Sequence, residues 1–400
     1  MKQPAPSFRG TILACYAGYI TQAVVNNFLP LLFVTLQTAF SLSLTQITLL
    51  VTVNFITQLF TDLLSAKYVD RMGYRVSVVA AHVLCCVGLV GVGLLPRLLP
   101  SAYLGLLLSV VIYAVGGGLI EVLISPIVEG CPSENKSAAM SLLHSFYCWG
   151  CVAVILLTTA AFTLFGRDCW PYVACCWALL PAVNAVAFTR VPIRRTVERE
   201  EQLPLGSLLK NGLFWLLALL MACAGASELA MSQWASAFAE KALHMSKTVG
   251  DLAGPCFFAV LMGMARVIHA KLTGRVQLER YMALCALLCI ASYPMAALLP
   301  HPVWDLLGCG LTGFAVGVMW PGTFSIAAAR LPKGGTALFA LLALFGDLGC
   351  SAGPTVVGLV SGAAGDNLKA GLLVATVFPL VILLGVTGLR HGARRNLSSC

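Results

Sequence analysis

Residues 102–129 read Ala102-Tyr-Leu-Gly-Leu-Leu-Leu-Ser-Val-Val-Ile-Tyr-Ala-Val-Gly-Gly-Gly-Leu-Ile-Glu121-Val-Leu-Ile-Ser-Pro126-Ile-Val-Glu129, with two charges in the whole stretch. A helix that crosses the hydrocarbon core of a bilayer needs about 20 mostly apolar residues. This run is long enough, and it is too long and too unbroken for a buried strand. It therefore predicts a membrane-spanning helix. Eleven more runs of the same kind lie near 11–36, 43–66, 74–95, 138–165, 170–189, 212–239, 249–271, 278–299, 304–329, 337–363 and 368–389. Numbered in chain order as helices 1–12, with 102–129 as helix 4, they take up almost all of the chain. The sequence thus predicts an all-α membrane protein of twelve transmembrane helices.

Composition agrees. Of 400 residues 59% are hydrophobic and 10% charged, and the mean hydropathy is +0.90, whereas soluble domains carry about 25% charge. That excludes a soluble globular domain and a disordered chain. The net charge of +9 is spread over the loops between apolar runs, which does not suit a nucleic-acid binder. Its distribution sets the topology, because cytoplasmic loops keep an excess of Lys and Arg. With the N-terminus inside, nineteen of the 25 basic residues fall on the inner side and five on the outer side, and Arg266 lies within helix 8. Both termini are expected in the cytoplasm, and the bilayer in question is the cell membrane.

The longest polar stretch, 190–211, holds Arg194, Arg195, Glu198, Arg199, Glu200 and Glu201. It divides the chain into an N-terminal six-helix bundle (1–189), a cytoplasmic linker (190–211) and a C-terminal six-helix bundle (212–400). The halves align as repeats. Lys136–Gly150 lies over Gly335–Gly349 at a constant offset of 199, matching Leu142, Leu143, Phe146 and Gly150 with Leu341, Leu342, Phe345 and Gly349. Helices 4 and 10 align at an offset of 195, matching Gly118 and Pro126 with Gly313 and Pro321. Transporters built from two parallel six-helix repeats hold their substrate near the midplane, between the halves.

Charges inside the apolar runs cost a few kcal/mol each and persist mainly where they line a cavity or path. Asp62, Glu121, Glu228 and Asp347 fall well inside helices. Glu129 and Arg266 sit nearer helix ends, where long side chains can snorkel to the interface, so structural pairing is the role expected of both. Asn26 and Asn27 precede Pro30 in helix 1, Asn54 and Gln58 share a face of helix 2, and Gln233 and Trp234 follow Glu228. With Tyr147 and Trp320 these suggest a site offering hydrogen bonds and ring faces. The sixteen Cys are scattered along the apolar runs as small packing residues. Cys148-Trp-Gly-Cys151 has redox spacing but lies within helix 5, and no His/Glu pair at helical spacing suggests a metal. Neither an enzyme nor a cofactor is expected.

The loop after helix 2 reads Ala66-Lys-Tyr-Val-Asp70-Arg71-Met-Gly73-Tyr-Arg75. It is similar to the cytoplasmic signature of the major facilitator superfamily, in which an acid, a basic residue and a glycine turn form a conformational latch. The resemblance implies that latch for Asp70, Arg71, Gly73 and Arg75. Glu121 before Pro126, His144-Ser-Phe-Tyr-Cys-Trp-Gly150, and Glu228 before Trp234 resemble the fucose permease-like (fucose:proton symporter) family. Helix 1 has Asn26-Asn27 where that family has an acid. A monomeric secondary transporter follows, moving a small polar solute by alternating access with protons. Glu121, His144, Glu228 and Asp347 are the coupling candidates; Asn26, Asn27, Tyr147, Gln233, Trp234 and Trp320 are the substrate-binding candidates. Glu121 and His144 sit 8 and 6 residues above their helix ends, about 9 to 12 Å deep, so they could meet. Efflux of amphipathic compounds, or a membrane sensor that transports nothing, are the alternatives.

Overall fold

The computed structural model describes residues 7–197, 201–236, 238–239, 244, 247–365 and 367–398, and among them the regular structure is helical, with one isolated bridge between Thr273 and Val276. Among the described residues eleven helices are long and apolar enough to cross a membrane, or twelve when a bent pair is counted as one span. Helix 1 is that pair, Arg9–Leu31 and Phe33–Phe40, meeting at 50°. Pro30 lies at the bend. Its ring removes one helical donor and crowds the preceding turn, which is the usual cause of a sharp kink.

Helix 2 (Leu44–Met72) opens on a capping box, in which the Ser43 hydroxyl accepts from the Gln46 N–H while the Gln46 side chain accepts from the Ser43 N–H. It ends at Gly73, whose φ of +92° an L side chain rarely adopts. Helices 3 (Tyr74–Leu98), 4 (Ala102–Gly130), 5 (Lys136–Phe165) and 6 (Trp170–Arg190) follow. Helix 7 (Gly212–Ser232) is interrupted by a turn at Gln233 and Trp234, after which Ala235 and Ser236 are helical again. Helices 8 (Lys247–Leu272), 9 (Leu278–Leu298) and 11 (Gly335–Ala363) are continuous. Helix 12 breaks at Thr376 between Leu368–Ala375 and Val377–Ser398.

Helix 10, read from the sequence as one run with a bending point at Pro321 beyond Gly313 and Gly317, breaks at Gly317 and Val318 into Pro302–Val316 and Met319–Arg330. The cause is legible: the carbonyl of Gly317 would take the N–H of residue 321, and that residue is Pro321. The turn between helices 2 and 3 recurs between helices 8 and 9, where Gly274 has φ of +94°. That matches a repeated hairpin.

The chain forms two compact units. One comprises residues up to Ser133, Trp149–Leu205 and Lys333–Leu341; the other comprises Glu134–Cys148, Gly206–Pro332 and residues from Leu342 on. The two segments grouped away from their neighbours in sequence, 134–148 and 333–341, start at positions related by the repeat offset of 199. Inside each unit, small residues bring backbones together. A Cβ on Gly88 would meet the Tyr113 backbone, and one on Gly349 would meet the Ala222 carbonyl. On the outside, Leu98, Phe165, Tyr172 and Val183 are 69–75% exposed. Large apolar side chains displayed at this density suit lipid rather than water.

Candidate functional site

Two polar clusters lie in the helical interior, one in each unit. In the first unit a row of carboxamides joins helices 1, 2 and 4. Gln58 Nε2 donates to Asn26 Oδ1 (2.8 Å) and to Asn54 Oδ1 (3.0 Å), and Asn54 Nδ2 donates to Asn26 Oδ1 at 3.4 Å. Gln22 Nε2 donates to Gln58 Oε1 (2.9 Å) and to Glu121 Oε2 (3.0 Å). Gln22, Asn54 and Gln58 are buried, and Glu121 is half-buried. Glu121, Asn26, Asn54 and Gln58, picked out separately in the sequence, thus form one network. Asn27 turns elsewhere, donating to the Ala23 carbonyl (2.9 Å) and to Cys151 Sγ (3.3 Å).

Gln22 is the member that sequence reading missed. Its signal was present: Gln22 and Asn26 are four apart on helix 1, as Asn54 and Gln58 are on helix 2, and residues four apart share a helix face.

In the second unit the centre is Arg266, 3% exposed. The structural pairing expected of it is present, in the interior of the unit. Its Nε donates to the Gly317 carbonyl at 2.7 Å, the carbonyl that Pro321 leaves without a helical donor. Nη1 donates to the His144 carbonyl (2.8 Å) and to Cys148 Sγ (3.0 Å). Nη2 faces Met262 Sδ at 3.6 Å and Glu228 Oε2 at 4.0 Å. One guanidinium therefore ties helices 5, 7, 8 and 10. The interior offers it a carboxylate and a vacant carbonyl, which a snorkelled arginine would forgo.

His144 and Glu228 are brought together around Arg266, whereas Glu121 belongs to the other unit. The His144 ring packs on Phe324 (5.8 Å between centroids), and Trp320 meets Phe324 edge-on at 6.3 Å. The Trp320 ring also lies against the Cα of Gly346, where a Cβ would collide with it. Trp234 is half-buried, and its Nε1 is buried without a hydrogen-bond partner; Gln233 is exposed at the end of helix 7. Tyr147 and Asp347 are half-buried, and the Asp347 carbonyl accepts from the Ser351 hydroxyl.

The charged turn has its own geometry. Asp70 lies in the last turn of helix 2, where the free carbonyls make a carboxylate unfavourable. Donors offset this: the Thr336 hydroxyl donates to Asp70 Oδ1 (2.8 Å), and Tyr74 in turn bonds Thr336 Oγ1. Arg195 stands over the Tyr74 ring at 5.8 Å and reaches the Asp70 carbonyl at 3.5 Å. Arg75 donates to the Phe188, Thr189 and Val191 carbonyls at 2.7–2.8 Å, capping helix 6. Arg71 is exposed and lies 5.9 Å from the centre of the Tyr68 ring. Among the described residues no group of three or more His, Cys, Asp or Glu is arranged to hold a metal ion.

A family model described as Major Facilitator Superfamily matches residues 13–354, most of the chain. The chain belongs to that superfamily. It is a multi-pass membrane transporter, not an enzyme. Similar solved superfamily structures include a variant of the E. coli fucose:proton symporter FucP, with a TM-score of 0.79, 16% identity, and coverage of 95% of this chain and 98% of that one. The proton:xylose symporter XylE bound to 6-bromo-6-deoxy-D-glucose gives 0.80 and 13%, covering 94% of each chain. The human organic anion transporter MFSD10 (TETRAN) gives 0.73 and 16%, covering 96% of this chain and 100% of that one. At these identities the likeness is one of fold. No curated protein sequence matches the chain.

Proposed function

We propose that this superfamily member is a secondary transporter that moves a small, neutral, hydroxyl-bearing solute by alternating access, coupled to protons. One observation carries the reading: Glu121, a carboxylate inside a membrane helix, rests on the amide of Gln22 within a buried carboxamide network. A carboxylate that accepts from an amide inside a membrane helix can take up and release a proton. The fucose:proton and proton:xylose symporters of the same fold support a sugar-like solute. A neutral solute is favoured over an anion by Arg266, whose Nε and Nη1 are committed to carbonyls and Cys148 and whose Nη2 faces Glu228. An anion would have to break those bonds to use it.

In this reading Glu121 is the coupling acid, with His144, Glu228 and Asp347 on the proton path. Asn26, Asn27, Tyr147, Gln233, Trp234 and Trp320 contact the solute. The protein acts as a monomer of two six-helix bundles in the cell membrane, with both termini cytoplasmic. The test is a thermal-shift panel of L-fucose, D-xylose, nucleosides and organic anions. A solute at 100 times its Kd stabilises the native state by about 2.7 kcal/mol. Neutral hydroxylated solutes should raise the melting temperature; a response to anions alone would contradict the reading.

Two substitutions extend the test. Trp234→Ala should weaken binding of the stabilising solute by more than ~1 kcal/mol, read from the same melts, if the ring stacks on it. Unchanged affinity returns Trp234 to ordinary packing. Asp70→Asn loses the charge that the Thr336 hydroxyl serves. It should slow solute counterflow in proteoliposomes and leave affinity nearly unchanged. Loss of binding in a folded Asp70→Asn protein would remove the latch from the account.

A further inference from the structure

Gln22 is 1% exposed, and both hydrogens of its amide are committed, one to Gln58 Oε1 and one to Glu121 Oε2. Its Oε1 is buried with no hydrogen-bond partner. A buried carboxamide oxygen left without a donor is destabilising. Turning the amide over would not relieve it, because oxygen would then face the Glu121 carboxylate and Gln58 Oε1, neither of which donates. The orphan is thus held in place by the groups around it.

It sits against helix 4 at Gly117, where an added Cβ would lie 3.0 Å from Gln22 Oε1. Gly117 and Glu121 are four apart on the same face of helix 4, and helical side chains lean toward the preceding turn. The unsatisfied acceptor and the Glu121 carboxyl therefore share one turn of helix 4. Gly117 supplies the room that any side chain would fill.

We infer that Gln22 is the positioning residue of the proton site, its Oε1 accepting the acid hydrogen of protonated Glu121. Acid and amide then pair through two bonds, Gln22 Nε2–H to the Glu121 carbonyl oxygen and Glu121 O–H to Gln22 Oε1. The second Nε2 hydrogen stays on Gln58. Every polar atom of Gln22 is satisfied in that state, so arrival of the proton completes the cluster. The proton comes from hydronium in the aqueous phase: one hydronium O–H bond breaks, the Glu121 O–H bond forms, and a water molecule is released. This inference rests on the reading of Glu121 as the coupling acid.

Helices 1, 2 and 3 pack against helix 4. Their buried or half-buried titratable groups are Cys15, Tyr16 and Tyr19 on helix 1, Asp62 and Asp70 on helix 2, and Tyr74, His82, Cys85 and Cys86 on helix 3. Tyr19 shares a hydrogen bond with Ser125, and His82 is bonded to Asn184 and the Val78 carbonyl.

The test uses the purified full-length protein in nanodiscs, brought from alkaline to acid pH under infrared difference detection, with no solute present. The acid C=O stretch of Glu121 is the band that Glu121→Gln removes and Asp62→Asn leaves. Gln22→Leu should shift that band to the higher frequency of an acid without a strong partner. Gly117→Ala, which crowds Oε1, should shift it the same way, while Gln58→Leu should leave it in place. A band unmoved in both Gln22→Leu and Gly117→Ala overturns the pairing and leaves Glu121 as the coupling acid. If no band responds to Glu121→Gln, the coupling reading falls and the pairing falls with it.

Discussion

Glu121→Gln should abolish solute accumulation driven by a pH gradient while leaving solute exchange at equal concentrations intact. The substitution keeps the size of the side chain and an oxygen that can accept from Gln22 Nε2, so the network of Gln22, Gln58, Asn26 and Asn54 survives. What it removes is the titratable proton. One pH unit across the membrane is worth about 1.4 kcal/mol per proton, enough for roughly tenfold accumulation of a solute moved with one proton. The wild type should approach that ratio in proteoliposomes, and the variant should stop at equal concentrations on both sides. Continued accumulation by the variant would shift the role to Glu228 first, then Asp347.

The second large effect is on stability. Arg266→Met leaves the Glu228 carboxylate facing a thioether and strips the Gly317 carbonyl of the donor it receives at 2.7 Å. Removing one member of a fully buried ion pair costs about 3–5 kcal/mol; with the Glu228 side chain 17% exposed and 4.0 Å from Arg266, the lower end of that range applies. A large fall in melting temperature is expected. Arg266→Met combined with Glu228→Gln should recover part of it, since no lone charge remains. Adding Pro321→Ala to Arg266→Met should recover a further part, because residue 321 then regains an N–H for Gly317. A single variant that melts with the wild type would mean that the pair stabilises nothing.

How much of this was legible in the chain can be judged from these residues. Helix number and helix 4 were readable because apolar runs longer than a bilayer crossing have few other interpretations. The Gly73 turn was readable from its residues, and its twin at Gly274 shows the repeat in backbone form. Asn54 and Gln58 were visible as a pair because the helical period puts them on one face. A bending point at Pro321 was expected, since proline removes the partner of the Gly317 carbonyl, yet Pro126 and Pro354, of which the same was expected, lie inside helices without ending them there. Proline alone does not locate a break. That Arg266 is paired was legible, but its partners were not: they come from positions 144, 148, 228 and 317, and no local pattern announces contacts at such separations. Its place near a helix end suggested a structural pairing, and the carbonyl left free by Pro321 is among the partners it found.

The account's central claim is that solute and proton move together through Glu121. The direct measurement is proton movement itself: proteoliposomes loaded with a pH indicator, at equal pH inside and out, receive the solute selected by thermal shift. The account predicts internal acidification evoked by solute in the wild type and none in Glu121→Gln, although that variant still exchanges labelled solute. Solute entry without acidification in the wild type, or equal acidification in both proteins, would contradict it.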